Sequence, residues 1–595
     1  MAPVPDPGQC ARPMPEIGIA ASEVASRAHE IRRDAYGTPR VLAATEADGF
    51  FGLGLAQGET ALLEILFLKL QVAGRLAEAL GPDCAPSDAR HRRLGFDQVD
   101  AAPLSPALRA DVLRPFADGV NAAAARQAAR LPAWAARALP YTEHDVLAIA
   151  GLYVFVIATA NDRYGVGGFV AASPWHGARA ARGQLGSNVL AIGPRRSAEG
   201  WPMLLANPHI DLQEPFLFQE YGLEAGATRL HGFGFLGLPL PLFGFTPHLA
   251  WGVAVNQAQS HRRLSATDPF ALDWSGRGDA RLLEQLWRMA KARDVGELRS
   301  ALELGQFPNY SLVAIDARGG LLHAELAGAA IPFPFVLDPE AGYSHASNGK
   351  PWFHARPAGF AVCGVPERFA PCAGEGKDKP EPRARFVLEA LEKARPSFAE
   401  MQAVLLDSRV GAAAWDRPRH ALLDGWDGRA AVDSRAAALY HAYAFARARG
   451  RESEAALAEA ELDLRRRFGR IDPRWGEAHV LRRAPSPLRP GAAVEFGIPG
   501  SWQDLGALNA FQVEPRPWVR REAPDPRWVA DFGGGAMLAV AFAPGGPIAL
   551  SALPFGQGQA PDSPHFVDQG RALIAQGRLK RVAFGQPPLG LKQSP

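Results

Sequence analysis

The stretch Gly186-Ser-Asn-Val-Leu-Ala-Ile-Gly193, with Met203-Leu-Leu-Ala-Asn-Pro-His209 after it, decides how the rest of the chain is interpreted. The apolar run that follows Ser187 predicts a short buried strand. A serine hydroxyl is a weak nucleophile unless a base lies beside it. Cleavage before Ser187 would place a new α-amine, with an ordinary pKa of about 7.7–8.0, next to that hydroxyl. The bond between Gly186 and Ser187 can therefore be an internal cleavage site, after which Ser187 would carry its own base. A surface serine in a turn is the alternative.

Length and composition are typical of a large globular protein. The 595 residues are 47% hydrophobic, and 64 Lys and Arg nearly balance 62 Asp and Glu, which gives a net charge of +2. No basic stripe or acidic tail stands out, so we expect no nucleic-acid partner. The longest apolar run, residues 146–160, is shorter than the roughly 20 residues that span a bilayer. It predicts a buried helix, and we expect no membrane partner.

The cysteines and the N-terminal residues bear on the compartment. The four cysteines are Cys10, Cys84, Cys363 and Cys372. Their spacing matches neither a zinc-binding pattern nor Cys-x-x-Cys. Free thiols are expected, and a short disulfide loop between Cys363 and Cys372 is the alternative in an oxidising compartment. Residues 1–14 lack the pattern of a signal peptide. The chain as written is therefore expected in the cytoplasm, with the periplasm as the alternative if its start site is misassigned.

Hydrophobic periodicity divides the chain into four regions. Residues 1–25 predict a flexible tail, and residues 26–165 predict a mostly helical region. Residues 166–186 have no periodicity and predict an exposed spacer. Residues 187–595 alternate short strands with helices. This order predicts an α+β fold of packed layers rather than a repeating βαβ chain.

Common catalytic and cofactor signatures are missing from the sequence. There is no Walker loop, no His-Glu-x-x-His and no Gly-x-Ser-x-Gly. The segment Gly232-Phe-Gly-Phe-Leu-Gly237 continues as Leu-Pro-Leu-Pro and opens no helix that would receive a pyrophosphate. We interpret it as an aromatic strand and turn, and we predict no cofactor.

The residues around Ser187 resemble the start of the β chain in the penicillin acylase family of N-terminal-nucleophile hydrolases, and the motifs are most similar to those of its acyl-homoserine-lactone acylases. The resemblance runs in the family's order over about residues 30–580. Further similar segments are Tyr36-Gly-Thr-Pro-Arg40, Gly52-Leu-Gly-Leu-Ala-Gln-Gly-Glu59, Gly74-Arg-Leu-Ala-Glu-Ala-Leu-Gly81, Leu249-Ala-Trp-Gly-Val-Ala-Val255, Gly342-Tyr-Ser-His-Ala-Ser-Asn-Gly349, Gly425-Trp-Asp-Gly428 and Ser563-Pro-His-Phe566. It implies an αββα four-layer sandwich, self-cleavage of an inactive precursor, and an α/β heterodimer.

The resemblance also implies roles for individual residues. Ser187 would be the nucleophile, with its own α-amine as the base. The backbone N–H of Val255 and the side chain of Asn348 would form the oxyanion hole, which stabilises the negative oxygen of an attacked carbonyl. Because only the backbone of Val255 is needed, its side chain is no obstacle.

Two further positions carry weaker implications. His209, 22 residues after Ser187, would orient the nucleophile or assist cleavage, with a buried structural histidine as the alternative. Arg383 would support the substrate or the transition state. A small shift would give this role to Arg385, and an ordinary ion pair is the other interpretation.

The chain also departs from the family pattern. Penicillin acylases bind calcium through aspartates after the Ala-Trp-Gly segment, whereas residues 255–263 here contain no carboxylate. We therefore predict no metal. Ile210 stands where relatives often carry an aromatic residue of the acyl pocket, so the shape of that pocket is left open.

The expected function is hydrolysis of the amide bond in N-acyl substrates, an acyl-homoserine lactone or another fatty-acyl amide first. A β-lactam or aryl-acetyl amide is the second substrate class, and an uncleaved relative that binds without turnover is a further alternative. Apolar residues of the segment 232–245 are candidates for an acyl pocket, although core packing is the default for such side chains. They are Phe233, Phe235, Leu236, Leu238, Leu242 and Phe243.

Overall fold

Helices lie mainly in residues 46–158 and a long series of strands begins at Gly186, in the order that the periodicity predicts. The computed structural model describes residues 28–160, 186–212, 217–256, 258, 260–268, 270–328, 333–348, 391, 395–414, 416–486, 488–489, 491–502, 511–512, 526–530 and 532–585. The α-helices in these ranges are Glu46–Val72, Leu76–Leu80, Ala85–Leu94, Pro106–Leu108, Arg114–Gln127, Ala133–Ala138, Glu143–Ala158, Leu282–Lys291, Val295–Leu302, Phe398–Leu405, Ala437–Ala448, Ser453–Phe468, Trp475–Ala478 and Asp568–Ala572.

Strands of the described ranges are numbered in chain order. They are β1 His29–Arg33, β2 Pro39–Ala43, β3 Gly186–Ile192, β4 Met203–Asp211, β5 Gln219–Ala225, β6 Thr228–Gly234, β7 Phe243–Phe245, β8 Leu249–Val255, β9 His261–Arg263, β10 Leu272–Trp274, β11 Tyr310–Asp316, β12 Leu321–Leu326, β13 Phe335–Leu337, β14 Tyr343–Ala346, β15 His479–Arg483, β16 Val494–Gly497, β17 Phe511–Gln512, β18 Trp528–Ala530, β19 Phe532–Gly534, β20 Met537–Ala543, β21 Gly546–Ala552 and β22 Lys580–Arg581.

Two large sheets contain most of these strands. One has nine described strands in the order β1-β2-β5-β6-β7-β8-β11-β12-β13, and β2 pairs with β5 in parallel. The other has eight, along the path β14-β3-β4-β20-β21-β22 with β19 beside β4 and β17 beside β19. The smaller sheets are β10-β9 and β16-β15-β18. Apart from β2–β5, the described strand pairs in the two large sheets are antiparallel.

Alternate residues of β3 show how the layers are stacked. Val189 packs in the apolar cluster that contains the nine-stranded sheet, whereas Leu190 packs with the helix Phe398–Leu405. Successive side chains of a strand point to opposite faces, so β3 lies between a facing sheet and a helix. A Cβ on Gly252 of β8 would lie 2.8 Å from Val189 Cγ1 and 3.0 Å from Ala206 Cβ of β4, so the two sheets face each other closely.

The helices before Ser187 form the layer behind the nine-stranded sheet. The helix Glu46–Val72 shares an apolar core with β2 and β5 and crosses the helix Arg114–Gln127. A Cβ on Gly54 or Gly119 would lie 2.0 or 2.1 Å from a backbone oxygen of the partner helix, so only glycine permits this approach. The helix Glu46–Val72 is long and apolar enough to span a membrane, but 83% of its most apolar window is buried inside the protein. The predicted αββα sandwich is confirmed.

The predicted region boundaries stay predictions. Residues 1–25 and all of the spacer except Gly186 lie outside the described ranges. The predicted α-chain region is not purely helical, because β1 and β2 precede its helices. Since β2 pairs with β5, this region shares one sheet with the residues after Ser187.

A buried carboxylate on β5 ties the two sheets together. Ser551 of β21 donates to Glu220 Oε1 at 2.5 Å, and Lys580 Nζ of β22 lies 3.0 Å from the same carboxylate. Lys580 also reaches Asp34 Oδ2 at 2.8 Å, and His231 Nε2 lies 2.9 Å from Glu220 Oε1. Burial alone would raise the pKa of Glu220. The Lys580 ammonium, with hydrogen bonds from His231 and Ser551, outweighs it and lowers that pKa to about 2.

We expect Lys580→Met to lower the free energy of unfolding by about 3–5 kcal/mol, because it leaves Glu220 buried without its cation. The control Arg75→Met opens an exposed pair with Glu78 and should cost no more than about 1 kcal/mol. Because the folded-state pKa of Glu220 is depressed, its stabilising contribution is lost as pH falls from about 4.5 toward 2, and the Lys580→Met difference should shrink in that range. Denaturant unfolding measures both. Equal losses of unfolding free energy in the two variants at neutral pH would contradict a stabilising contact between Lys580 and the buried Glu220.

Candidate active site

Ser187 lies on β3 beside β4, with its side chain enclosed. It is the ladder partner of Pro208, and only 2% of its surface is exposed. Its Oγ donates to the carbonyl oxygen of Gly186, and the backbone N–H of His209 donates to Oγ at 3.4 Å. The hydroxyl is therefore held against the peptide bond at which cleavage is predicted. In the continuous chain the nitrogen of Ser187 is an amide and is not a base.

Val255 ends β8 on the facing sheet, opposite Tyr310 of β11. The next residue, Asn256, donates its backbone N–H to Asn309 O at 2.8 Å. Because backbone groups alternate in direction along an antiparallel strand, the N–H and C=O of Val255 point away from β11. Asn348 Nδ2 donates to that Val255 oxygen at 2.7 Å. The structure thus brings Val255 and Asn348 together.

Asn348 lies two residues beyond the end of β14 that pairs with the start of β3. The last pair of the β14–β3 ladder is Ala346 with Val189, and Ser187 lies two residues before Val189. The φ of Asn348 is 63°, in the left-handed region that asparagine enters more readily than most residues, so the chain has left the strand conformation there. Its side chain is buried. Ser187 and Asn348 thus lie at the same end of the β3–β14 pair, and Asn348 contacts Val255 of the other sheet.

His209 occupies the end of β4 between two strands. It pairs with Gly186 on one side and with Gly534 of β19 on the other. Its imidazole stands edge-on to the ring of Phe532, with centroids 6.5 Å apart. The contact described between His209 and Ser187 is made by the backbone N–H, and the predicted role of the imidazole stays a prediction.

Several predicted positions lie outside the described residues. These include Arg383, Arg385, Cys363 and Cys372, whose roles stay predictions. Cys84 is described and is a buried free thiol. Within the described ranges, no group of three or more His, Cys, Asp or Glu residues is arranged to hold a metal ion.

An apolar cavity lies beside Tyr310, the ladder partner of Val255. The helix Glu143–Ala158 lines one side and residues after Ser187 line the rest. Burial raises the pKa of Tyr310, so its phenol stays neutral. The predicted pocket residues that line it are Phe235, Leu238 and Leu242. Those buried in the core outside its lining are Phe233, Leu236 and Phe243.

A buried polar chain beneath the two amide groups was not predicted from the sequence. It runs from Ser344 through His323 and Glu325 to Asn256, the residue after Val255. The local signal for it is the strand Leu321–Leu326, which has two ionisable residues at alternate positions of an otherwise apolar run.

Two facing sheets between helical layers, with the strand of Ser187 on the inside, define the N-terminal-nucleophile hydrolase fold. The sequence matches the family described as penicillin amidase over residues 28–264 and 325–589, which is most of the chain. The chain belongs to the penicillin amidase family.

Individual relatives are similar over parts of the chain. Penicillin acylase 2 proenzyme of Pseudomonas sp. strain SE83 is 26% identical over 371 residues, which cover 53% of this chain and 46% of that protein. Acyl-homoserine lactone acylase PvdQ of Pseudomonas putida is 29% identical over 289 residues, 42% of this chain and 37% of that protein. The matched part thus spans less than half the length of these relatives. The thermostable penicillin G acylase structure from Alcaligenes faecalis is 14% identical with a TM-score of 0.43, and covers 69% of this chain and 100% of that chain.

We expect Asn348→Gly to lower kcat for an N-acyl amide by about 10²–10³-fold, because it removes a donor to the developing oxyanion. Glycine adopts a φ of 63° without strain, so the variant tests the side-chain amide rather than the backbone. Steady-state kinetics on the cleaved protein give kcat and KM, and KM should change far less. A kcat within threefold of the wild type would show that Asn348 does not donate to the oxyanion.

Proposed function

We propose that this protein is a self-processing amidase that hydrolyses N-acyl amides through an acyl-enzyme on Ser187. One observation carries the proposal: the buried hydroxyl of Ser187 lies at the end of the β3–β14 pair from which Asn348 follows, and Asn348 bonds to Val255 of the facing sheet. Membership of the penicillin amidase family supports the same chemistry.

In the first stage the precursor cuts itself. Ser187 Oγ attacks the carbonyl carbon of Gly186, the C–N bond breaks as the nitrogen takes up a proton, and the acyl group moves from N to O. Water then hydrolyses the ester, which leaves a carboxylate on Gly186 and an α-amine on Ser187. The contact of Ser187 Oγ with the Gly186 carbonyl oxygen favours this attack. Cleavage converts an amide nitrogen into a base and so activates the nucleophile.

In the second stage the new α-amine takes the proton from Ser187 Oγ, directly or through one water, as Oγ attacks the amide carbon of the substrate. The oxyanion accepts hydrogen bonds from the Val255 N–H and Asn348 Nδ2. The contact of Asn348 Nδ2 with the Val255 carbonyl oxygen supports this role for the side-chain amide, and substrate binding would replace that contact. The leaving amine takes the proton, and water releases the acid.

The apolar cavity supports a fatty-acyl group as the part of the substrate that is recognised. Its lining is aliphatic and aromatic, and it lies beside the strand that ends at Val255. The similar relatives include acyl-homoserine lactone acylases and a penicillin acylase, and the cavity favours the first. A homoserine lactone or another small amine would be the leaving group.

After cleavage the two fragments would remain associated as an α/β heterodimer. Residues 28–160 supply β1 and β2 to the nine-stranded sheet and pack their helices behind it. Glu64 also binds Arg489 with Oε1 at 2.7 Å from Nε, which adds a buried ionic contact between the fragments.

We expect the purified wild-type protein to run as two chains on denaturing electrophoresis, with a new N-terminus at Ser187. Ser187→Ala should give one full-length chain and hydrolyse no N-acyl amide, because both stages use the same Oγ. Intact mass and an N-acyl amide panel test this. A single wild-type chain without hydrolysis would support the uncleaved binding relative instead. Faster hydrolysis of penicillins or aryl-acetyl amides than of fatty-acyl amides would reassign the substrate.

We expect Leu286→Trp to shorten the longest acyl chain that is hydrolysed, because Leu286 lines the apolar cavity. Each buried methylene contributes about 0.8 kcal/mol, so losing room for two would lower kcat/KM for long chains about 15-fold. Acetyl substrates should be unaffected. The control Leu462→Trp changes a leucine that is 65% exposed. An unchanged chain-length profile in Leu286→Trp would show that the acyl chain binds elsewhere.

A further inference from the structure

A chain of buried polar side chains crosses from one large sheet to the other beneath the oxyanion donors. His323 on β12 lies with Nδ1 2.7 Å from Ser344 Oγ on β14 and with Nε2 2.7 Å from Glu325 Oε1. Strand β12 belongs to the nine-stranded sheet and β14 to the eight-stranded sheet. The His323–Ser344 hydrogen bond is therefore a direct polar contact between the sheets.

The same chain continues to the residue after Val255. The second oxygen of Glu325 accepts from Ser311 Oγ at 2.8 Å and from Asn256 Nδ2 at 2.9 Å. Asn256 Oδ1 in turn accepts from the N–H of Ala258 at 3.0 Å. With its backbone N–H bonded to Asn309, Asn256 is held on several sides. This fixes the peptide plane that carries the Val255 C=O, and so anchors the end of β8 next to the Val255 N–H.

The other end of the chain lies near Asn348 in the sequence. Ser344 lies four residues before Asn348 and is fully buried within β14. Because β14 ends at Ala346, the His323–Ser344 hydrogen bond anchors the strand end from which Asn348 follows two residues later. The two oxyanion donors come from different sheets, and their separation is therefore a separation between sheets.

Filling a protein core with polar side chains costs free energy. Buried carboxylates lose their hydration, and apolar residues of similar volume are often as stabilising or more so. Every member of this chain has a hydrogen-bond partner, as a rigid buried polar network requires. Catalytic donors must be held within about 0.5 Å of their productive position, which non-directional apolar packing does not ensure.

We propose that Ser344, His323 and Glu325 are positioning residues that fix the spacing between the Val255 N–H and the Asn348 side chain. This inference rests on the proposed function, since the spacing matters only if an oxyanion forms there. The three residues do not touch the substrate and act through Asn256 and β14.

Two variants of the cleaved protein test the proposal. Ser344→Ala removes only the hydrogen bond between the sheets, and His323→Phe removes the bridge while keeping its volume. Misplacing a catalytic group by about 1 Å costs about 10²-fold in rate, so His323→Phe should lower kcat about 100-fold and Ser344→Ala about 10-fold. KM for the N-acyl amide should stay within about twofold, because ground-state binding does not use the oxyanion donors.

The affinity for an alkylboronic acid is a measurement that would stay unchanged if these residues only stabilised the fold. The boronic acid forms a tetrahedral adduct on Ser187 whose oxygen would occupy the oxyanion position, so its affinity should fall in parallel with kcat. The matched control is His231→Phe, which changes another buried histidine–carboxylate pair several strands away, beside Glu220. It should lower the thermal midpoint while kcat and boronate affinity stay within about twofold.

The outcomes separate the two proposals. If the wild type is cleaved and active but Ser344→Ala and His323→Phe keep wild-type kcat and boronate affinity, the positioning role is wrong and the proposed function stands. The positioning role would also be wrong if Ser344→Ala and His323→Phe lost no more kcat and boronate affinity than His231→Phe. A change in KM as large as the change in kcat would have the same meaning. A wild type that is neither cleaved nor active and binds no boronate would overturn both. If His323→Phe does not fold, Ser344→Ala alone decides.

Discussion

The spacing and alignment of the two large sheets is the constraint on which the rest of this structure depends. A side chain at Gly252 would collide with the side chains of Val189 and Ala206 on the facing sheet. Apolar packing brings the sheets together but is non-directional, so it leaves sliding and rotation weakly determined. Directional contacts that cross the interface include those of Glu220, of His323 and of Asn348.

The candidate site is a product of this interface rather than of either sheet. The eight-stranded sheet supplies Ser187 and leads to Asn348, and the nine-stranded sheet supplies Val255. Helices from the residues before Ser187 then complete the apolar cavity next to the same strands. A substrate would thus contact both sheets and both sides of the proposed cleavage point, which explains why no single segment of the chain forms the site.

Much of the fold could be predicted because its signals are local. The apolar run after Ser187 predicted β3, and the apolar run of residues 146–160 predicted the helix Glu143–Ala158. The parallel pairing of β2 with β5 was not predicted, because nothing in either strand identifies a partner about 180 residues away. For the same reason the two ionisable residues of β12 gave no sign of their role. Whether a polar residue in an apolar strand faces a hydroxyl depends on which strand lies opposite.

The contact between Lys580 and Asp34 joins residues 546 positions apart, and this separation has a consequence for the order of events during synthesis. The cation that pairs with Glu220 is Lys580. The buried ionic contacts between the sheets therefore cannot form until the ribosome has added that residue. If Ser187 cuts only after this interior has formed, self-cleavage would wait until translation has passed residue 580. A nascent or truncated chain that lacks residue 580 would then keep its two halves covalently joined.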